Sequence, residues 1–121
     1  MVKVICDTSF LILLATKRIK NIDSLETDIG SLEFVVPKAV IEELERLSEK
    51  DEKSNESKQT LELIKSFETI SIHGNNVDSA IIQHIKDNGG VVATVDKELK
   101  NMIKKHNGSI ISLSNNRIVL E

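Results

Sequence analysis

Hydrophobic and polar residues follow two patterns that take turns along this chain. In the first pattern, short runs rich in valine and isoleucine occur, which is typical of strands buried on both faces of a sheet. These runs predict strands over residues 2–6, 34–36, 70–72, 91–94 and 109–112. The turn signal Asn115-Asn116 then predicts that residues 117–120 return as a last strand.

In the second pattern, apolar residues recur every three or four positions, as in a helix with one buried face. It predicts helices over residues 21–29, 38–49 and 61–67, and helices that start after Asp7, after Asn75-Asn76 and at Asp96. In the last of these helices, Leu99, Met102 and Ile103 should face inward. Helix starts are marked by the capping side chains of Asp7-Thr8-Ser9 and by Pro37 at a first turn. Helix ends are marked by Gly30, Gly89 and Gly108.

Strands and helices alternate almost throughout, which predicts an α/β fold. Its parallel sheet should carry helices on both faces, joined by right-handed crossovers. We expect residues 1–121 to form a single domain. Ligands of such sheets bind at the carboxyl ends of the strands, where the strand order reverses. Candidate chemistry should therefore lie directly after the strands.

One segment of the chain has no apolar side chain to bury. Residues 51–58 are all charged or polar. We expect this segment to be a mobile loop or a helix that extends into solvent, and not a packed element.

Composition narrows the classes of function. Only three residues are aromatic, all Phe, which argues against proteins that stack bases on aromatic platforms. The net charge of −3 argues against a protein that binds nucleic acid through a basic surface over the whole chain. The single cysteine, Cys6, excludes an internal disulfide and a Cys-based zinc site. No apolar run is long enough to cross a membrane, so we expect a soluble, cytoplasmic protein.

Two aspartates come directly after predicted strands. Asp7 follows the first strand, and Asp96 follows the strand over residues 91–94 after one further residue. If these strands are neighbours, the two carboxylates meet at one edge of the sheet. Each residue also has an ordinary explanation, because an Asp between a strand and a helix is usually an N-cap.

Two further acids lie on helices near the same edge. Glu43 lies about 90° from the centre of the apolar stripe of its helix, at a residue spacing of about 100°, so it can turn toward a cleft. Its neighbour Glu42 lies nearly opposite the stripe and should face solvent. Asp78 lies in the first turn of its helix, where the helix dipole also favours a carboxylate.

Four carboxylates at one edge would repel each other. At ~5 Å each pair costs roughly 3 kcal/mol at an effective dielectric of 20, unless protons or cations relieve the charge. Ligands that are all oxygen suit Mg²⁺ or Mn²⁺ and not Zn²⁺. Thr8, Ser9 and Thr94 are candidates for supporting hydroxyls, although each also fits a cap or a turn.

Four segments of the sequence together resemble the PIN-domain nucleases. They are Cys6-Asp7-Thr8-Ser9-Phe10-Leu11, Val36-Pro37-Lys38-Ala39-Val40-Ile41-Glu42-Glu43-Leu44, Asp78-Ser79-Ala80-Ile81-Ile82 and Ala93-Thr94-Val95-Asp96-Lys97-Glu98-Leu99. Within the family, the segment from Pro37 to Leu44 is most similar to archaeal relatives of the ribosomal-RNA processing factor Fcf1. The sequence departs from the family at Val95, where Asn is common.

The resemblance implies a three-layer α/β/α sandwich with a parallel sheet of four to five strands. It also implies an endoribonuclease that hydrolyses RNA with Mg²⁺ or Mn²⁺ as its cofactor. Asp7, Glu43, Asp78 and Asp96 would then take the family's acidic positions, both as catalytic residues and as metal ligands. RNA is the expected substrate, with a ribosomal-RNA precursor as one candidate within that class.

Basic residues near the acids are candidates for contact with RNA phosphates. Lys97, Lys100 and Lys104 share one face of the helix that starts at Asp96, and Lys38 is a weaker candidate of the same kind. Such a face is more often only solvated.

Two other functions remain open at the level of sequence. One is a catalytically silent module that binds RNA or an assembling ribosome, and the presence of all four acids argues against it. The other is the toxin of a toxin–antitoxin pair, which would share the fold and the chemistry. A homodimer and a further protein partner are also left open.

Overall fold

The strands and helices alternate, as the hydrophobic pattern predicted. The computed structural model describes residues 2–20, 26–27, 30–50 and 52–121. Its strands are β1 (Val2–Cys6), β2 (Glu26–Thr27), β3 (Gly30–Pro37), β4 (Glu68–Ile70), β5 (Val91–Ala93), β6 (Ser109–Ser114) and β7 (Arg117–Leu120). Its α-helices are α1 (Thr8–Thr16), α2 (Lys38–Leu47), α3 (Ser54–Leu63), α4 (Val77–Asn88) and α5 (Lys97–Lys105), and a 3₁₀ turn, Ile64–Ser66, follows α3.

The parallel part of the sheet has the spatial order β4, β3, β1, β5, β6, which confirms the predicted α/β fold. Strand β2 runs antiparallel to β3, and β7 runs antiparallel to β6. From β1 the chain proceeds to β3 and β4 on one side, and it then returns to add β5 and β6 on the other. The strand order therefore reverses between β1 and β5, and ligands of α/β sheets bind at such a point.

Successive residues in the second half of β1 and along β5 are buried, which means that both faces of the sheet are covered at its centre. Val4, Ile5 and Cys6 of β1 are at most 5% exposed, and β5 is buried along its whole length. The helices α1, α2 and α3 contact one another, and α4 contacts α5. Phe10 of α1 packs edge-on against Phe34 of β3 with 5.5 Å between ring centroids, which fixes α1 on the sheet.

The predicted helix over residues 21–29 is wrong where the structure describes it. Glu26 and Thr27 form strand β2 and pair with Gly30 and Ser31, so Gly30 begins β3 and does not end a helix. The rest of that prediction, residues 21–25 and 28–29, lies outside the described residues. A short isolated helix is only marginally stable, so pairing with the edge of an existing strand prevails over a weak local pattern.

The polar segment over residues 51–58 agrees with its prediction only in part: its described residues, 52–58, are mostly exposed, but Ser57 is buried. Helix α3 begins at Ser54, and Ser57 and Thr60 are fully buried where α3 packs against α1. The Thr60 hydroxyl donates to the Glu56 carbonyl at 2.7 Å, so the helix itself satisfies this buried group. Small polar side chains therefore take buried positions in α3, while the apolar Leu61 and Leu63 also pack against the core.

Smaller differences concern the end of β4 and the exposure of one side chain in α5. Strand β4 ends at Ile70, before Ile72, although Ile72 is buried and its carbonyl accepts the Ala39 N–H at 3.0 Å. Met102 is 38% exposed, beside the inward Leu99 and Ile103, because it lies at the edge of the apolar stripe of α5. None of the helices in the described part of the chain is long and apolar enough to span a bilayer.

Candidate active site

Asp7 lies at the carboxyl end of β1, next to the point where the strand order reverses. Its N–H donates to the Ala93 carbonyl at 3.0 Å, which carries the pairing of β1 with β5 one residue further. Its carboxylate accepts the N–H of Phe10 at 2.8 Å and thereby caps α1. The Ser9 hydroxyl donates to the same carboxylate at 3.0 Å, and the Thr94 hydroxyl donates to Oδ2. Asp7 is only 3% exposed.

The negative charge on Asp7 is costly at this position. Burial raises the pKa of Asp7 to about 6, although the hydrogen bonds from Thr94, Phe10 and Ser9 act in the opposite direction. The charge of Asp78 raises this pKa further. Desolvation therefore outweighs three hydrogen-bond donors, and a cation beside Asp7 would relieve the remaining cost.

Thr94 connects the two aspartates at the strand ends. It is fully buried, and its N–H donates to the Ile111 carbonyl at 3.0 Å. Its hydroxyl donates to Asp7, and its oxygen accepts the N–H of Asp96 at 3.1 Å. Asp96 in turn caps α5 by accepting the Leu99 N–H at 3.1 Å. Both aspartates are therefore N-caps and also neighbours across β1 and β5.

Glu43 turns toward the same place from α2, as the helix period predicted. Its Oε2 accepts the Thr8 hydroxyl at 2.8 Å, and the residue is half-buried, whereas Glu42 is exposed. Because Thr8 is the first residue of α1, this bond ties the acid on α2 to the end of β1.

Asp78 lies at the rim of the site, in the first turn of α4. Asn76 caps this helix by accepting the Ser79 N–H at 2.9 Å. Partial desolvation and the negative charges of Asp96, Glu43 and Glu98 raise the pKa of Asp78. The sequence predicted this mutual repulsion for Asp96 and Glu43. Glu98 was missed, although an acid two residues after Asp96 necessarily falls in the first turn of α5.

All four predicted acids line one cleft of about 270 Å³. The cleft is also lined by Thr8, Ser9, Ile12, Leu47 and Lys53. The structure therefore brings together in the cleft the four acids and the predicted hydroxyls of Thr8 and Ser9. The third predicted hydroxyl, on Thr94, donates a hydrogen bond to Asp7. The catalytic and metal-binding roles of these residues stay a prediction.

The donor set of the cleft fits a hard divalent cation. In the described part of the chain, no three His, Cys, Asp or Glu side chains form a group that would hold one ion by themselves. Mg²⁺ usually binds through one or two carboxylates and keeps several waters, so it does not require such a group. Carboxylate and hydroxyl oxygens line this cleft, and these are the ligands that Mg²⁺ and Mn²⁺ prefer.

The predicted RNA-contacting lysines divide into two pairs. Lys100 and Lys104 both form ion pairs with Glu121, the second at 3.6 Å. Lys38 and Lys97 are exposed, and neither forms an ion pair with another described residue. Lys53, which sequence reasoning did not select, is the basic residue that lines the cleft itself.

Comparison with known proteins gives matches over nearly the whole chain. A family model described as a PIN like domain matches residues 4–116. The structure of the PIN domain endonuclease Utp24 superimposes with a TM-score of 0.81 at 28% identity, over 98% of this chain and 90% of that one. A domain of a functionally unknown protein from Methanocaldococcus jannaschii matches with a TM-score of 0.64 at 16% identity, over 94% and 92% of the two chains, which shows a common fold. No curated protein matches the sequence.

Proposed function

Since the chain belongs to the PIN-like domain family, we propose that it is an endoribonuclease that hydrolyses RNA with Mg²⁺ or Mn²⁺ held among its cleft carboxylates. The observation that carries the proposal is the cleft where Asp7, Glu43, Asp78 and Asp96 come together beside the reversal of strand order. The likeness to the PIN domain endonuclease Utp24 over nearly the full chain supports it.

The four carboxylates would hold the cation. A divalent ion at such a site activates water and neutralises the charge that develops on a phosphate. Asp7 is the buried ligand at the base of the cleft, and Asp78 and Asp96 are the exposed ligands at its rim. Glu43 completes the set from α2.

The neighbouring hydroxyls would orient these acids. Thr94 fixes Asp7 and positions the backbone of Asp96, and Thr8 holds one oxygen of Glu43. Ser9 donates to Asp7 from the first turn of α1. Because these donors are built into helix starts and a strand end, the acids are positioned before any substrate arrives.

The substrate is proposed to be RNA, and within that class a ribosomal-RNA precursor. The narrower choice rests on the resemblance of the segment from Pro37 to Leu44 to the Fcf1 branch of the family. In the structure this segment includes the end of β3 and the first turns of α2, which carry Glu43 into the cleft.

The test is an RNA cleavage assay on the purified chain with Mg²⁺, with Mn²⁺ and with a chelator, for the wild type and for Asp7→Asn. We expect cleavage only with an added metal and only by the wild type. Cleavage that is equal in the two proteins would refute the proposed site. Binding of RNA without any cleavage would instead favour the catalytically silent module.

A further inference from the structure

The acidic cleft shares wall residues with two neighbouring grooves. On one side it shares Leu47 and Lys53 with a groove of about 560 Å³, which Glu49, Lys50 and Glu52 also line. On the other side it shares Glu43 and Asp78 with a groove of about 200 Å³, which is lined as well by Arg46, Asn75, Asn76 and Val77. The three adjoining spaces, with the acids lining the middle one, are called the path below.

Helix α2 and the turn after it form one wall of this path along its whole length. Glu43, Arg46, Leu47 and Lys50 all line it. Their spacing of three, four and seven residues places them on one side of a helix. The turn keeps this direction beyond the end of α2, because the Lys50 N–H donates to the Leu47 carbonyl at 3.1 Å.

Three basic residues of this path, Arg46, Lys50 and Lys53, have no acidic partner among the described residues. Elsewhere Lys3 pairs with Glu68, Lys65 pairs with Glu62, and Lys100 and Lys104 pair with Glu121. Arg46 and Lys53 are exposed and form no such pair. Glu43, which precedes Arg46 by about one helical turn, accepts the hydroxyl of Thr8 with its Oε2.

A nucleic-acid strand needs cations beside an acidic cleft. Each nucleotide carries a phosphate charge, and the carboxylates repel every phosphate that does not share their metal ion. Contacts with basic side chains fix the register of a strand without reading its sequence. Lys53 lies where the cleft opens toward the first groove, and Arg46 lies in the groove on the other side.

We propose that Arg46 and Lys53 bind backbone phosphates on the two sides of the phosphate that is cut, so that the RNA strand runs along α2. This inference rests on the proposed function. It assigns the two residues to substrate binding and not to the chemical step, and it makes the α2 side of the cleft the RNA-binding side.

The test measures binding of a fluorescein-labelled, mixed-sequence single-stranded RNA by anisotropy, in the Asp7→Asn background so that the probe stays intact. Salt is varied between about 50 and 200 mM, because the slope of log Kd against log salt reports about 0.7 per phosphate contact on a single strand. The variants are Arg46→Ala, Lys53→Ala and their combination. The matched control is Lys86→Ala, an exposed lysine in the last turn of α4 that lines none of the three spaces.

We expect each alanine variant to lower the slope by about 0.7 and to weaken binding about fivefold near 0.1 M salt, and the double variant to lower the slope by about 1.4. Arg46→Lys and Lys53→Arg should restore most of the slope, which a merely structural role would not explain. In the wild-type background, the alanine variants should raise KM for RNA cleavage and leave kcat nearly unchanged.

Slopes and affinities that match the parent protein in both alanine variants would overturn this inference. If wild-type cleavage continues in that case, the proposed function stands and only the path is wrong. Absence of metal-dependent cleavage by the wild type would refute the proposed function itself, and the path with it.

Discussion

The Thr94 hydroxyl donates to Asp7 while its oxygen accepts the backbone N–H of Asp96, so one buried side chain holds the two acids at the ends of β1 and β5. Neither bond depends on a ligand. The arrangement therefore belongs to the folded chain itself, and substitution of Thr94 should affect both acids together.

Thr94→Val keeps the shape of the side chain and removes both hydrogen bonds. The pKa of Asp7 should rise further, because the bond from Thr94 lowers it. We expect the acidic limb of the pH–rate profile for RNA cleavage to move to higher pH. Stability should fall by about 1–3 kcal/mol, because the Asp96 N–H loses its acceptor.

The matched control for this change is Thr60→Val. Thr60 is also fully buried, but its hydroxyl donates within its own helix and contacts none of the four acids. This variant should leave the pH–rate profile in place. An unchanged profile in Thr94→Val would show that Thr94 does not orient Asp7.

Asp7→Asn removes one charge from the base of the cleft and keeps the shape of the side chain. If the carboxylate is a metal ligand, its loss should lower RNA cleavage at least about 100-fold, since metal-ion catalysis is worth several kcal/mol and each 1.36 kcal/mol is tenfold. The chain should still fold, as circular dichroism can verify. Activity within a few-fold of the wild type would contradict the assignment.

The same variant tests the electrostatic cost of Asp7 without any assay of activity. The folded-state pKa of Asp7 is raised from 3.8 to about 6, so folding favours the protonated form. The contribution of Asp7 to stability is present below pH 4 and is lost as the pH rises through about 6, on the order of 3 kcal/mol. Asp7→Asn should therefore gain stability relative to the wild type over this interval.

This prediction is checked by denaturant unfolding in a chelator at several pH values between about 4 and 7, where the difference between the two proteins is the quantity of interest. Hydrogen bonds with Lys3 and Lys100 lower the pKa of Glu68 and of Glu121, which gives a trend of opposite sign. Both proteins share that trend, so the difference cancels it. A difference that does not change with pH would contradict the raised pKa.

Glu43→Gln and Glu42→Gln form a pair of adjacent, chemically identical changes. Glu43 lines the cleft and accepts the Thr8 hydroxyl, whereas Glu42 is exposed. We expect RNA cleavage to fall by at least about tenfold in Glu43→Gln, since mutation even of the residues that support metal ligands typically costs about 10–100-fold in activity. Cleavage should stay unchanged in Glu42→Gln. The reverse result would refute the assignment of the helix face.

The features that the sequence predicted well are those that nearby residues determine. The cap at Asp7 depends on an N–H three residues later, and the orientation of Glu43 follows from the period of one helix. These interactions are local or repeat regularly, so a single sequence contains enough information to predict them.

The features that the sequence did not predict depend on pairing or packing with other elements, which the pattern of a single segment does not indicate. Glu26 and Thr27 become a strand because β3 offers them a free edge. Lys53 enters the cleft wall only because the chain after α2 turns back toward α1, and no periodicity in a polar segment indicates that turn. The signal that was available, the small side chains of Ser57 and Thr60, was hidden among charged neighbours.

Ser57 provides the sharpest test of how α3 packs. It is fully buried, and its hydroxyl has no hydrogen-bond partner among the described residues. Ser57→Ala removes that unpaired group and improves helix propensity, so it should leave stability unchanged or raise it by up to about 1 kcal/mol.

Ser57→Lys buries a charge between α1 and α3 and should destabilise the chain by at least about 2 kcal/mol. Gln59→Lys, two residues away on the exposed side of α3, is the control and should change little in a thermal melt. If Ser57→Lys melts like the control, the segment is solvated as its composition suggested, and the packing of α3 against α1 is wrong.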